Sequence, residues 1–587
     1  MSLLSDLTTI VAAGFESAGL DASFGAVQVS DRPDLGQFQC NGALAAARSA
    51  GRNPRDIARQ VVTQIENDHR LASVSIAGPG FINLTVTDRT LADCMDAMAG
   101  DVRLGVSPVE QPLSVIVDYA GPNVAKSMHV GHLRATIIGD TLKRLFRFAG
   151  HGVLGDVHFG DWGLQMGMLI VATRRRHPDL AHFDGSYEGP YEEPLGVTLA
   201  DLQEWYPEMA REVARDEDVA AEARRATTDL QSGRPGYVAL WEHFVRVSRA
   251  SQERDFSDLG VEFDLWYGES TVRDLLRPLV DDALARGIAV RSDGAVVIEV
   301  SRPGDKAEFT PLVLETSHGA FLYGTTDVAT IQMRVADLKA DLILYVVDSR
   351  QSYHLEQVFR AARRAGLSGR AVMEHIGFGT MNARDGTPFK TREGGVLRLG
   401  DLIEMVTDAA ATRLEESDLA AGYSRAERAV IARQVGIAAL KFGDLVNNRT
   451  SNYVFDLRRF TALEGKTGPY LQMAAVRMDS ILARASRRGL APGAVLPPRR
   501  DTDTGLVLRL LQLPEVIDRA MELRAPNHLA EFAYEVAADF SRFYEACHIL
   551  TEPDPGQQAS WLEMVRTARR TMELLLDLLG IEVPARM

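Results

Sequence analysis

The segment running from Ser114 to His132 limits the architectures open to this chain more than any other. Ser114 to Tyr119 is a strand-like apolar run, followed by a Pro-containing turn, Asn123, Lys126 and His129-Val130-Gly131-His132. Leu133, Ile137 and Leu142 then recur at helical spacing, and a second short apolar run spans Val153 to Val157. Strand, turn, helix, strand in that order spells a parallel βαβ unit.

The start of such a helix suits a nucleotide. Its first turn has unpaired backbone N–H groups and the positive end of the helix dipole, which attract phosphate. His129 and His132, three residues apart, share one helical face. Gly131 between them has no side chain to keep a purine ring off the backbone. No Gly-x-Gly-x-x-Gly follows the strand and no Gly-x-x-x-x-Gly-Lys-[Ser/Thr] occurs there, so the dinucleotide and P-loop readings lack their fingerprints. A pair of histidines on a helix can also be solvated or part of a core.

The His-x-Gly-His segment resembles the first signature of the class I aminoacyl-tRNA synthetases, and further segments narrow the resemblance to the arginyl-tRNA synthetase family. Asp118 to Gly139 looks like that family's form of the signature, and His158 to Met168 (HFGDWGLQMGM) like its next segment. Tyr323-Gly-Thr-Thr-Asp327, Tyr345-Val-Val-Asp348-Ser-Arg350-Gln351, Gly465 to Gln472 and the terminal Val583 to Met587 follow in the family's order. The resemblance implies an α/β catalytic domain of the class I, Rossmann-like parallel-sheet type, a small N-terminal α/β domain and an all-α C-terminal bundle.

Four regions are expected. Residues 1 to about 105 read as the small α/β domain, which in the family grips the corner of the tRNA. Phe38 and Asn41 are its candidates for base stacking and base-edge hydrogen bonding, against the alternatives of a buried Phe and a turn Asn. Residues 106 to about 375 read as the catalytic domain, with strands at Val296–Val300, Phe321–Tyr323 and Leu342–Val347 and a charged helical insertion from about 172 to 255. Residues 376 to about 430 hold a Gly-rich, basic loop and a connecting region, and 431 to 587 read as the helical anticodon-binding bundle. In the bundle Leu529, Phe532, Val536, Phe540 and Phe543 fall at core spacing. Tyr453, Tyr470, Gln472, Arg477 and Met587 are candidates near unstacked anticodon bases, with a buried-core role as the alternative for the tyrosines.

The resemblance also implies the substrates: L-arginine, ATP with Mg²⁺, and tRNA(Arg). A guanidinium ends in a planar fork of donors that two carboxylates can grip with paired, charge-assisted bonds. Asp327, four residues after Tyr323 and on its helical face, is matched to that task with Glu269 and Asp118, while Asn123 and Gln351 serve the α-amino and carboxylate end. Lysine lacks the planar fork, so a single synthetic site can reject it by leaving carboxylates unpaired. His129, His132, Gly131 and Lys126 are matched to ATP.

The loop departs from the class pattern Lys-Met-Ser-Lys-Ser. Phe389-Lys390-Thr391-Arg392-Glu393 has no lysine where the second should stand. One branch of the family carries a lysine just before the histidine signature instead, and Lys126 stands there; Lys390 and Arg392 are expected as supporting cations. No metal-ligating set is expected from the chain itself. The alternative reading is an exposed Lys126 and a degenerate loop in a chain that has lost activity. The resemblance further implies that activation waits for bound tRNA.

Composition constrains the partners. A net charge of −16 is opposite to that of a generic nucleic-acid binder, so the tRNA-facing surface should rest on local basic runs such as Arg174–Arg176, Arg458–Arg459 and Arg484–Arg488. No stretch approaches a membrane span and no signal peptide is legible, which predicts a cytoplasmic protein; a monomer is expected. Cys40, Cys94 and Cys547 are far apart and not paired as Cys-x-x-Cys, which argues against a disulfide framework or a zinc site. Three other readings stand beside the synthetase for arginine: a silent RNA-binding paralogue, a synthetase for another amino acid, and a small nucleotidyltransferase.

Overall fold

The computed structural model describes residues 2–187, 189–192, 196–383, 386, 397–417 and 422–587. The chain forms two compact units, one of residues 1–108 with 462–587 and one of residues 109–461. Residues 431–461, expected with the terminal bundle, lie in the second unit. There Arg425–Leu445 packs on Leu399–Glu416 and on the helix Val130–Ala149.

In the first unit, β1 (Val27–Val29), β2 (Phe38–Cys40), β3 (Leu71–Ala77) and β4 (Phe81–Val86) form an antiparallel sheet of order β1-β2-β4-β3. Helix boundaries follow local chemistry. Asn53 accepts from the Arg55 N–H just before Pro54, and Thr87 caps Asp88–Gly100 through the Thr90 N–H. The helical part is built as the spacing predicts, since Leu529, Phe532, Val536, Phe540 and Phe543 are all buried along Asn527–Ala546. Cys40 and Cys547 are buried free thiols and Cys94 is partly buried.

In the second unit, β5 (Ser114–Tyr119), β6 (Gly152–Asp156), β10 (Leu342–Val346) and β11 (Val372–His375) form a parallel sheet of order β11-β10-β5-β6. All five residues of β10 and five of six in β5 are buried, as expected for strands covered on both faces. The register aligns Tyr345, Asp118 and Asp156 side by side near the carboxyl edge. Between β6 and β10 lie β7 (Ala289–Ser292), β8 (Ala295–Ile298) and β9 (Leu312–Glu315), a separate antiparallel sheet.

Two expected strands are therefore corrected. Val296–Val300 belongs for the most part to β8 of that antiparallel sheet, because the tight turn at Asp293-Gly294 folds β8 back on β7, and β9 pairs antiparallel to its other edge. Phe321–Tyr323 is no strand but leads into the helix Tyr323–Ala336. The insertion is helical as expected, with Leu199–Val213, Glu217–Gln231 and Pro235–Asp258. Its neighbouring basic run is not a free cationic patch: Arg175 reaches Glu212 and Glu222 at 2.7 Å each, and Arg174 and Arg176 pair with Glu222 and Glu208. Among the described residues, no helix is long and apolar enough to cross a membrane.

Candidate active site

The helix Val130–Ala149 starts at His129, whose extended backbone makes it the N-cap. The Gly131 N–H donates to His129 Nδ1 at 3.0 Å, and the His129 N–H donates to His132 Nδ1 at 3.1 Å. An imidazole nitrogen that accepts is deprotonated, so in each neutral ring the proton resides on Nε2. Burial pushes His132 down to about 3, with His129 and Lys126 adding to it, and burial followed by Lys126 lowers His129. Both rings are thus neutral Nε2–H donors at a helix N-terminus, 4.1 Å apart between centroids. A Cβ on exposed Gly131 would stand 2.7 Å from His129 Cε1, so glycine is needed to leave the capping ring in place.

Lys126 lies half-buried in the turn before this helix, with its ammonium 4.6 Å from the centre of the Tyr206 ring on the insertion. Ala120 and Ala125 in this turn, and His158 after β6, hold left-handed φ values of 76°, 61° and 42°. Such strain collects where a site fixes its backbone. Lys390 and Arg392 lie outside the described residues. The described flank beyond them returns to the signature, as the Val130 N–H donates to Leu397 O at 3.1 Å and the Leu399 N–H to Met128 O at 2.9 Å.

A hydrogen-bonded ribbon ties the histidine arm to the acidic side of the site. Asn123 bridges Gly160, and Phe159 bridges Gly268, with the Glu269 N–H donating to Phe159 O at 3.1 Å. Gly160 allows this close approach, since a Cβ there would fall 2.4 Å from Asn123 Oδ1. Burial raises the Glu269 carboxyl to about 8, and Asp327 is the next cause. Two carboxyl groups are thereby held near each other in a poorly solvated place, an arrangement that a bound cation relieves. Asp327 lies one turn after the 59% exposed Tyr323 on the helix Tyr323–Ala336. Gln351 is exposed in the turn after β10, at the same sheet edge.

Asp118 does not join this pair. The wholly buried guanidinium of Arg334 donates to Asp118 Oδ2 at 2.7 Å and to Asp156 Oδ2 at 2.6 Å. Its carboxylate is therefore committed to an internal cation, a use that burial of Arg334 on the same helix as Asp327 imposes. His158 lies 3.6 Å from Asp156 and, despite its burial, is pushed up to about 9 by Asp156 and Asp118. Asp118, Asp156 and His158 offer a donor set with metal-like spacing, but the Arg334 guanidinium already occupies both carboxylates, so a divalent ion does not fit there.

Several expected nucleic-acid contacts are also core residues. Tyr453 is buried, donates to Met381 Sδ at 2.9 Å and lies under Arg134, which pairs with Asp444 at 2.9 Å. Gln472 is buried and donates to Glu582 O at 2.6 Å, holding the terminal segment. Phe38 is buried, pairs across with Leu84, and lines an apolar cavity with Leu511 and Phe532 instead of offering a free face. By contrast, Asn41 and Arg477 are exposed, Tyr470 and Met587 are partly exposed, and Arg477 lies over the Tyr544 ring.

Arg334 and His354 had not been singled out in the sequence. The one charged residue after Asp327 in a largely apolar helix (Val328, Ala329, Ile331, Met333) is the signal for Arg334; His354 has none, being one polar residue on an amphipathic helix.

Comparison with known proteins agrees with this architecture. The profile for "tRNA synthetases class I (R), catalytic domain" matches residues 95–457, that for "DALR anticodon binding domain" matches 471–587, and that for "Arginyl tRNA synthetase N terminal domain" matches 5–86. The chain is 46% identical over its whole length to the arginine–tRNA ligases of Maricaulis maris and of Hyphomonas neptunium, each covered in full. In fold it is similar to the arginyl-tRNA synthetases of Plasmodium falciparum (TM-score 0.82, 22% identity, covering 100% of this chain and 99% of that one) and Thermus thermophilus (TM-score 0.80, 23% identity, 100% of both). With full-length identity of this order and three profiles in sequence, the chain belongs to the arginyl-tRNA synthetase family.

Proposed function

We infer that the chain is an arginine–tRNA ligase of class I. It activates L-arginine with ATP and transfers the arginyl group to the terminal adenosine of tRNA(Arg), releasing AMP and pyrophosphate. The observation that carries this reading is the Glu269 carboxyl, raised by burial and then by the nearby Asp327, a pair whose ionised forms a planar cation would satisfy. The hydrogen-bonded ribbon through Asn123 and Gly160 ties that pair to two preset Nε2–H donors.

In the first step the arginine carboxylate attacks the α-phosphorus of ATP and the bond to pyrophosphate breaks. In the second the 2′-hydroxyl of the terminal adenosine attacks the activated carbonyl and AMP leaves. No covalent nucleophile from the protein is required. Negative charge grows on phosphate oxygens in the first step, and His129 and His132 meet it with hydrogen bonds that need no reorganisation, aided by the Lys126 ammonium. Lys390 and Arg392 add cations from the loop. Asn123 and Gln351 orient the amino-acid end, with Tyr323 beside the guanidinium. Mg²⁺ enters with the ATP phosphates and belongs to the substrate. Asn41, Tyr470, Arg477 and Met587 form the RNA-facing set. The enzyme acts in the cytoplasm as a monomer.

Aminoacylation of purified tRNA(Arg) with arginine, lysine and glutamine in turn, together with ATP–pyrophosphate exchange, tests this reading. Charging by arginine alone is expected. Charging by another of the three, or tRNA binding without exchange under any condition, would overturn it.

A further inference from the structure

Asp327 and Tyr323 stand one turn apart on one helix, and a single imidazole from the next helix touches both. His354, on Ser352–Ala365, lies with Nε2 2.6 Å from Asp327 Oδ2, and its ring centroid is 4.4 Å from that of Tyr323, tilted by 46°. An ionised carboxylate only accepts, so the imidazole is the donor. His354 is itself largely buried, at 14% side-chain exposure against 28% for Asp327, so the donor is the better anchored of the two.

The chemistry of the anchor matters. Arg334 grips Asp118 through a guanidinium and so withdraws it from ligands. His354 makes one bond to one oxygen of Asp327, and among the described residues no other hydrogen bond to that carboxylate is present. The second oxygen stays open with its orientation set, and a planar fork needs a carboxylate whose plane is fixed. Tyr323, 59% exposed, has in the His354 ring a wall that limits where its own ring can swing.

We propose that His354 is a specificity-determining positioning residue, holding the Asp327 carboxylate and the Tyr323 ring in the arrangement that receives the substrate guanidinium. The inference rests on the reading of Asp327 as a guanidinium ligand.

Three variants separate the bond from the ring. His354→Phe keeps an aromatic wall without a donor, His354→Gln keeps an N–H at similar reach without a ring, and His354→Ala has neither. In aminoacylation by the full-length enzyme, His354→Phe and His354→Ala should raise the KM for arginine about ten- to a hundredfold, the worth of a lost charge-assisted bond. Their kcat and their KM for ATP should stay within about threefold, and His354→Gln should recover most of the arginine affinity. An arginine KM within twofold of the parent in His354→Phe, or a fall in kcat and thermal midpoint with KM unchanged, would overturn the proposal. Asp327→Asn is measured alongside. If its arginine KM is normal, the pocket reading itself has failed; if it is raised while His354→Phe is normal, only the role of His354 has.

Discussion

Arg334 and Asp118 form an ion pair with Nη2 2.7 Å from Oδ2, and the guanidinium is entirely buried. The same nitrogen also donates to Asp156 at 2.6 Å. One cation thus joins the helix that carries Asp327 to the carboxyl ends of β5 and β6, from which the histidine signature and the His158–Trp162 segment depart. Two carboxylates this close would repel in an apolar setting without it.

Removing that cation should destabilise the protein strongly. Arg334→Leu leaves the buried Asp118 and Asp156 with only the His158 imidazolium to offset them, at a cost of about 3 kcal/mol. Urea or thermal unfolding checks this, and adding Asp118→Asn to Arg334→Leu should return part of the loss. Stability within about 1 kcal/mol of the parent would show that the pair does not hold the sheet edge to the helix.

Arginine binding should release a proton. The Glu269 carboxyl, raised to about 8 by burial and by Asp327, is protonated at neutral pH in the free enzyme, yet a guanidinium is gripped by its ionised form. Below pH 8 the proton must leave when arginine arrives, so affinity should strengthen by up to about tenfold per pH unit toward pH 8 and then level off. Calorimetry at pH 7 in buffers of different ionisation enthalpy should report close to one proton released per arginine. Proton uptake, or no exchange at all, would contradict the sign.

The two ends of the His132 ring can be tested apart. His132→Asn keeps an acceptor near the Nδ1 position for the His129 N–H and loses the Nε2–H, whereas His132→Gln does roughly the reverse. His132→Asn should keep the thermal midpoint and lose activation by about a hundred- to a thousandfold, as when one preset donor is removed. His132→Gln should retain more activity with lower stability. Equal loss in both would mean that Nε2 does not face the reacting phosphate.

Lys126→Ala should depress the activation rate by about a hundredfold or more while tRNA affinity stays nearly constant, because its charge serves the phosphates locally. Pyrophosphate exchange and a tRNA filter-binding titration measure the two separately. An unchanged rate would remove Lys126 from the phosphate site.

Asp118 shows how far sequence reasoning reached. The run Ser114–Tyr119, the His129–His132 spacing and the ordered segments to Met587 were legible because they are local: strand burial, the onset of a helix and signature order are written in neighbouring residues. The helical period likewise identified the buried face of Asn527–Ala546. Three acidic residues could be nominated for a guanidinium, but sequence alone could not tell which of them already had one. Arg334 lies 216 positions from Asp118 and meets it only because β5, β6 and β10 align in register beneath one helix.

Burial made the same kind of decision for Tyr453, Gln472 and Phe38, whose types suit RNA contact but whose side chains face protein. The β8 segment, with its apolar pattern, was indistinguishable from a parallel-sheet strand until its partners were known. What the sequence by itself determined was the family, the order of domains and where the signature helix begins; that His129 caps it from outside was not among its readings. Only the tertiary structure decided which carboxylates stay open, because hydrogen bonding and desolvation between distant segments set whether a charge is satisfied, and neither leaves a trace in local spacing.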